Sequence, residues 1–264
     1  MLLRIEDLDV SFRNEGGDVT SAARDVSLTL DRGEVLGLVG ESGSGKSSVA
    51  MSIPRLLPSP PAFWPRGRIM FDGVNTLSMS IADLRRIRGS RIGVVFQDPI
   101  GSLSPLHRVG DQLVETIRLH RDVSAKAARA QALEWLGRVG IPDPDVRARA
   151  YPHELSGGMQ QRVMIAMGLM LDPDLLIADE PTTALDVTIQ AQILRLLKEL
   201  HRSNSAVLLI THDLGVVSQL ATRLAVMREG RVVETSDHPE EFFNNPKHPY
   251  SRTLVGEARR MELT

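Results

Sequence analysis

Gly40-Glu41-Ser42-Gly43-Ser44-Gly45-Lys46-Ser47 has the spacing G-x-x-x-x-G-K-[ST], the pattern of a loop that cradles phosphate with its backbone. Glycines at 40, 43 and 45 let amide N–H groups approach a polyphosphate without a Cβ in the way. Lys46 would then reach the β- and γ-phosphates, and the Ser47 hydroxyl is an oxygen ligand suited to Mg²⁺. Further along, the apolar run Leu175 to Ala178 ends in Asp179-Glu180-Pro181. Paired carboxylates at a strand end suit two tasks, Asp179 holding Mg²⁺ and Glu180 polarising an attacking water. Gln97 stands after the apolar run Ile92 to Phe96, where an amide can reach both Mg²⁺ and that water, and His212 follows Ala206 to Ile210, where it could sense a γ-phosphate; taken singly, an ordinary loop glutamine and a structural histidine are the alternatives. Ser156-Gly157-Gly158 precedes the helical stretch Met159-Gln160-Gln161-Arg162, so a serine cap and two glycines make a second anion-facing helix end.

The elements that must position these groups follow from pattern. Glu34 to Val39 reads as a buried strand and Ser48 to Ile53 as a helix start, so the glycine loop has the strand–loop–helix setting that its chemistry needs. Residues 3–12 and 25–30 alternate as antiparallel strands, with the turn at 14–18 between them. Phe12 ends the first of these, and in a chain with 4% aromatic residues it is the candidate to stack on an adenine ring; ordinary core packing is the alternative for the same residue. Pro54 to Pro65 reads as a surface connector, and 67–73 as a strand ending in an Asp-Gly turn. Between Val109 and Gly140 the apolar period becomes helical. Ala184-Leu185-Asp186 should open a helix running from Ile189 to His201, residues 225–235 a strand pair around Glu229-Gly230, and the tail from Asp237 a polar, partly helical segment.

With 264 residues, 42% of them hydrophobic, the chain can bury a sizeable core. Its 31 Lys and Arg against 33 Asp and Glu leave a net charge of −2, with no basic tract, so a nucleic-acid partner is not expected. Cysteine is absent, which excludes disulfides and thiolate metal sites and suits a reducing compartment. The start Leu2-Leu3-Arg4-Ile5-Glu6-Asp7 lacks the shape of a signal peptide. The longest apolar runs fall far short of the roughly 20 residues that cross a bilayer, so a membrane role would be that of a peripheral subunit.

The order and spacing of these pieces resemble the nucleotide-binding subunit of an ABC transporter, over essentially the whole chain: the glycine loop, Gln97, Leu155-Ser-Gly-Gly-Met-Gln160, Asp179-Glu180, Asp186 and His212. The resemblance implies an α/β P-loop NTPase (RecA-like) core with an N-terminal antiparallel β-subdomain and an inserted α-helical subdomain. The core and β-subdomain would take 1–97 and 161–235, the helical subdomain with the signature 98–160, and a tail 236–264. It also implies two subunits sandwiching ATP and Mg²⁺ between Gly40–Ser47, with Ser48 behind them, of one copy and Ser156–Gly158 with Gln160 of the other. Glu180 would be the general base, Gln97 the Mg²⁺ and water sensor, His212 the γ-phosphate switch, and Asp186 a contact across the dimer.

Within the family, Phe96-Gln-Asp-Pro-Ile-Gly-Ser-Leu-Ser-Pro105, His212-Asp-Leu-Gly-Val-Val217 and Lys247-His-Pro-Tyr250 resemble the oligopeptide, dipeptide and nickel importer ATPases. The partners implied are integral membrane permease subunits docking beside 100–108, a second identical or paralogous ATPase and, indirectly, an extracytoplasmic solute-binding protein, at the cytoplasmic face of a bacterial inner membrane. Many peptide-importing members carry cysteines for an iron–sulfur cluster in a C-terminal extension; the sequence ends soon after Tyr250 with none, so peptide and nickel both stay open. A chromosome-maintenance or DNA-repair ATPase would need a long heptad coiled coil between glycine loop and signature, and a translation-type ATPase two cassettes. The chain has neither feature.

Overall fold

A computed structural model describes residues 1–182, 186–202 and 205–261. In chain order the elements are strands β1 (Leu3–Arg13), β2 (Val19–Leu30) and β3 (Val35–Val39), helix α1 (Lys46–Ser52), strands β4 (Ala62–Phe63), β5 (Arg68–Phe71) and β6 (Val74–Asn75), helix α2 (Ile81–Ile87) and strand β7 (Ile92–Val95). Helices α3 (Pro99–Ser102), α4 (Val109–His120), α5 (Ala125–Arg138), α6 (Pro144–Arg147) and α7 (Gly157–Leu169) follow, then β8 (Leu175–Asp179) and α8 (Val187–Arg202). The path closes with β9 (Ala206–Ile210), α9 (Leu214–Leu220), β10 (Arg223–Arg228), β11 (Arg231–Ser236), α10 (Pro239–Asn244) and α11 (Pro249–Met261). The backbone falls into two compact units, Met1–Arg85 with Ala206–Thr264, and Arg86–Ser205.

The first unit holds two sheets. One is antiparallel, in the order β2-β1-β5-β6. Strand β2 begins at Val19, six residues before the alternation in the sequence becomes visible. Residues 19–24, Val-Thr-Ser-Ala-Ala-Arg, mix apolar, hydroxyl and charged side chains and carry no clear alternation of their own; pairing with β1 draws them into the sheet through shifts in register, at one of which the Asp25 N–H donates to Asp9 Oδ1 at 2.7 Å. The connector at Pro54 to Pro65 also contributes a short strand, β4, against Ser11 and Phe12. In the other sheet β3 lies between β10 and β9, parallel to both, and all five residues of β3 and of β9 are buried. Strands covered on both faces read as unbroken apolar runs, and this is why both were visible in sequence.

The tail is more than a polar appendage. Phe242 of α10 and Tyr250 and Val255 of α11 are buried with Val39, Leu214, Val217, Leu224 and Val226 in one cluster. Each such side chain contributes about 1.5–3 kcal/mol on leaving water. Glu234 of β11 fixes the approach to α11 by accepting from Lys247 N–H at 2.9 Å and His248 N–H at 2.8 Å.

In the second unit β7 and β8 pair in parallel, and an Arg91–Asp174 ion pair at 2.7 Å sits where both begin. Helices α4 and α5 bury Leu113, Ile117, Ala128, Trp135 and Leu136. Helix α7 lies hard against β7: a Cβ on Gly93 would stand 2.2 Å from the Gly168 carbonyl oxygen. Only glycine lets the signature helix come that close to the strand that carries Gln97. Ala184 and Leu185, expected to open the helix at α8, lie outside the described residues, as does the end of the tail from 262.

Burial alone would raise the Glu234 carboxyl, but the nearby Ser251 hydroxyl and the hydrogen-bonded Lys247 and His248 amides hold it below the usual glutamate range. A carboxyl depressed by folding adds stability that is present at neutral pH and is lost as the pH falls through its folded pKa. Glu234→Gln should therefore lower the melting temperature by about 2–4 °C at pH 7, the shift expected for about 1 kcal/mol in a chain of this length. The gap to wild type should close on acidification below the glutamate range. Scanning calorimetry across pH is the measurement; a gap that widens in acid contradicts the anchoring role.

Candidate functional site

Strand β3 delivers the glycine loop and α1 receives it. Gly45 takes φ +98, and a Cβ there would stand 2.2 Å from the Ala22 carbonyl oxygen, so the residue before Lys46 must be glycine. The Lys46 ammonium is 6% exposed and donates to Gly40 O and Glu41 O, both at 2.7 Å, and to Ser44 Oγ at 3.2 Å. The loop thus folds round its own lysine. Behind it, Gly230 N–H donates to Ser44 O at 3.1 Å and the Glu41 N–H donates to Tyr250 Oη at 2.9 Å. On the open side Glu41, Ser42 and Gly43 are exposed, and no atom lies within 4 Å of where a Gly43 Cβ would sit. A buried ammonium within an exposed, glycine-rich loop fits a polyphosphate. Ser47 and Ser48 follow in the first turn of α1, both half-buried.

Phe12 is half-buried near the end of β1, opposite Thr20 on β2 and Ala62 on β4. It is not among the fully buried core residues, which leaves part of its ring open to a ligand. His212 follows β9 and is exposed. Its neighbours are tied: the Asp213 N–H donates to Thr211 Oγ1 at 3.0 Å, and Asp213 Oδ1 accepts from Gly215 and Val216 N–H to cap α9.

In the second unit Gln97, exposed after β7, donates from Nε2 to Glu180 Oε2 at 3.3 Å. The structure therefore joins two residues 83 positions apart that sequence reasoning had placed in one reaction. Asp179 ends β8 and is 4% exposed, while Glu180 turns out of the strand with φ +48. A left-handed conformation costs a non-glycine residue about 1–2 kcal/mol. The next peptide is held in place: Gln161 of α7, 1% exposed, donates from Nε2 to the Pro181 carbonyl oxygen at 3.0 Å. Gln161 was not singled out from sequence, although a glutamine inside an otherwise apolar helix face is a usable signal of a buried polar contact.

Ser156 caps α7, its Oγ accepting from Met159 N–H at 3.3 Å; Ser156 and Gly157 are exposed and Gly158 half-buried. Gln160 points the other way, buried, with Nε2 on the Pro152 and Leu155 carbonyl oxygens, where it braces the turn that enters the helix. Asp186 Oδ1 accepts from Ile189 N–H at 2.9 Å at the start of α8. Burial lowers the Arg162 guanidinium, and Asp186 acts on it in the opposite sense, so the signature helix and Asp186 are electrostatically linked.

For Mg²⁺ the sequence nominates Ser47, Gln97 and Asp179. Hard oxygen donors suit this ion, which takes few protein ligands and fills its octahedron from phosphate and water. The described residues contain no cluster of three or more His, Asp or Glu able to hold a metal by themselves.

The ABC transporter family model matches residues 23–183. The oligopeptide transport ATP-binding protein OppD of Bacillus subtilis is 49% identical over 262 residues, 99% of this chain and 73% of that protein. The dipeptide transport ATP-binding protein DppD of the same organism is 50% identical over 263 residues, 99% of this chain and 78% of that protein. An ATP-binding cassette solved as a dimer in a post-hydrolysis state with ADP and Pi superposes with a TM-score of 0.81 at 29% identity, covering 89% of this chain and 98% of that one. By the family match over residues 23–183 and by relatives about half identical along nearly its whole length, the chain belongs to the ABC transporter family.

Proposed function

We propose that this chain is the ATP-hydrolysing subunit of an importer that carries peptides across a bacterial cytoplasmic membrane. The observation that carries the hydrolytic part is the Gln97–Glu180 contact of 3.3 Å: a carboxylate turned out of its strand, with an amide beside it, is the arrangement that orients and deprotonates a water. Lys46 and the loop amides would grip the phosphates and Phe12 would stack on adenine. The nucleotide would be ATP with Mg²⁺, the ion drawing charge from the phosphate oxygens, and Ser47, Gln97 and Asp179 would hold it. His212, at a strand end between two tied neighbours, would contact the terminal phosphate. Peptide is preferred to nickel as cargo because the two Bacillus relatives are named for oligopeptide and dipeptide transport.

The exposed cap of α7 supports a composite site, in which Ser156–Gly158 of one subunit faces the glycine loop of another and Asp186 lies along the same junction. Gln160 would support that end from behind through its bonds to the Pro152 and Leu155 carbonyl oxygens. Residues 98–160 would form the helical subdomain that presents it, inserted in the core of 1–97 and 161–235. No helix among the described residues is long and apolar enough to cross a membrane. Attachment would be peripheral, through permease subunits docking along 100–108, where Leu106 stands 81% exposed; a solute-binding protein would act from the far side.

Glu180→Gln removes the base and leaves the phosphate grip. It should bind ATP with near wild-type affinity, hydrolyse it at least about 100-fold more slowly, the scale of a lost general base, and accumulate an ATP-dependent dimer on size exclusion. Wild-type turnover in this variant would take the base role from Glu180.

Lys46→Ala and Ser156→Arg together test the sandwich. Each variant alone should be inactive. A mixed dimer, however, has one site with both lesions and one site with neither, so random pairing should restore roughly a quarter of wild-type activity. Mixed dimers shown by cross-linking to form, yet without activity, would contradict independent composite sites built from two copies of this chain.

A further inference from the structure

The motif Lys247-His-Pro-Tyr250 takes no part in the chemistry above, yet it reaches the phosphate loop. Tyr250 lies in the first turn of α11, 5% exposed, and shares the buried cluster with Val39, the residue immediately before Gly40. Its Oη accepts the Glu41 N–H at 2.9 Å across 209 residues of sequence. The Arg228 guanidinium lies 5.0 Å from the ring centroid, and the Tyr250 N–H donates to His248 Nδ1 at 3.2 Å. His248 and Lys247 are in turn fixed through their own amides by Glu234. A continuous set of bonds therefore runs from β11 through the start of α11 to the second residue of the glycine loop.

Such a loop has a particular need of this. Three glycines in eight residues leave many unproductive conformations, and the entropy of ordering them subtracts from the affinity of any ligand that must do the ordering. The Lys46 bonds to Gly40 O and Glu41 O hold the loop from inside, and the Ser44 O bond to Gly230 N–H holds its later half from behind. At the early half, the Glu41 N–H is held by Tyr250. A tyrosine is a rigid tether, with two side-chain torsions and a ring already fixed by packing. Burial raises its phenol pKa, so the hydroxyl stays neutral and keeps both its lone pairs and its proton.

We propose that Tyr250 is a positioning residue for nucleotide binding: its hydroxyl pre-sets the Glu41 end of the phosphate loop, so that ATP affinity depends on that one hydrogen bond. This rests on the reading of the loop as an ATP site. The hydroxyl touches no reacting atom, so its loss should change binding and leave the chemical step alone.

The test is Tyr250→Phe in the full chain, which keeps the ring, its packing and its cation–π contact and removes one oxygen. A fluorescent ATP analogue should bind about 3- to 10-fold more weakly, the range expected for one hydrogen bond, while kcat at saturating ATP stays within about twofold of wild type. Hydrogen exchange at the Glu41 amide, protected in wild type, should quicken in the variant by a similar or larger factor. Val255→Ala is the control, since it loosens the same helix without touching the loop; it should lower the melting temperature and leave analogue affinity unchanged. Unchanged affinity in Tyr250→Phe, or an equal loss in Val255→Ala, would overturn the proposal while leaving the ATP site standing. Failure of wild type to bind the analogue would overturn both.

Discussion

Strands β3 and β9 are apolar along their whole length and β8 up to its final residue, Asp179, and this confines the candidate polar groups to the points where the strands end. Strands β3, β8 and β9 are buried at every position, so a charge placed within one would lose its hydration with nothing to replace it. The glycine loop follows β3, Gln97 follows β7, Asp179 and Glu180 finish β8, and His212 follows β9. In open α/β sheets ligands bind outside the carboxyl ends of the strands for this reason. The distribution of candidate residues in this sequence is the consequence of how its strands are buried, and the chemistry had no other place to go.

Within that constraint the two carboxylates of β8 are treated differently by the backbone. Asp179 keeps strand geometry and stays buried, which suits a ligand to a cation whose charge compensates for the lost water. Glu180 is forced into a left-handed turn and becomes half-buried, in reach of Gln97. The turn costs about 1–2 kcal/mol, and one net hydrogen bond such as that from Gln161 to the Pro181 carbonyl oxygen offsets a cost of this order. A buried glutamine on the signature helix thereby stabilises the strained peptide beside the proposed base. Loss of that glutamine would leave the Pro181 carbonyl buried without its donor, an outcome costlier than the bond itself is worth.

What could be read in the sequence was whatever is local. The glycine loop declares itself by spacing, β3, β8 and β9 by unbroken apolar runs, and Ser156 by standing before a helix that it does cap. Residues 19–24 could not be recognised as a strand, because what makes them one is the neighbouring β1. Helix α2 went unread: Ile81–Ile87 is two turns long, too short for its period to stand out. The tail looked polar because its buried residues, Phe242, Tyr250 and Val255, are widely spaced and find their partners in β3, α9 and β10, more than a dozen residues earlier. The Tyr250–Glu41 bond joins positions 209 apart, and no window along the chain contains both of its ends.

The two halves of the proposed ATP site are prepared in different ways, and the difference bears on how it would assemble. The glycine loop is tied from inside by Lys46 and from behind by Gly230 and Tyr250, so its amides are aimed before a ligand arrives. The signature end has one exposed hydroxyl, whose oxygen already accepts the Met159 N–H at 3.3 Å. A hydroxyl that accepts with a lone pair still carries a proton to donate, so Ser156 can cap its own helix and offer that proton to a phosphate oxygen without giving up the first bond for the second. Binding at the loop therefore meets a surface already ordered, and closure by the signature end asks only for the orientation of one O–H. In the proposed sandwich these bonds would favour nucleotide on the loop first and the facing helix second.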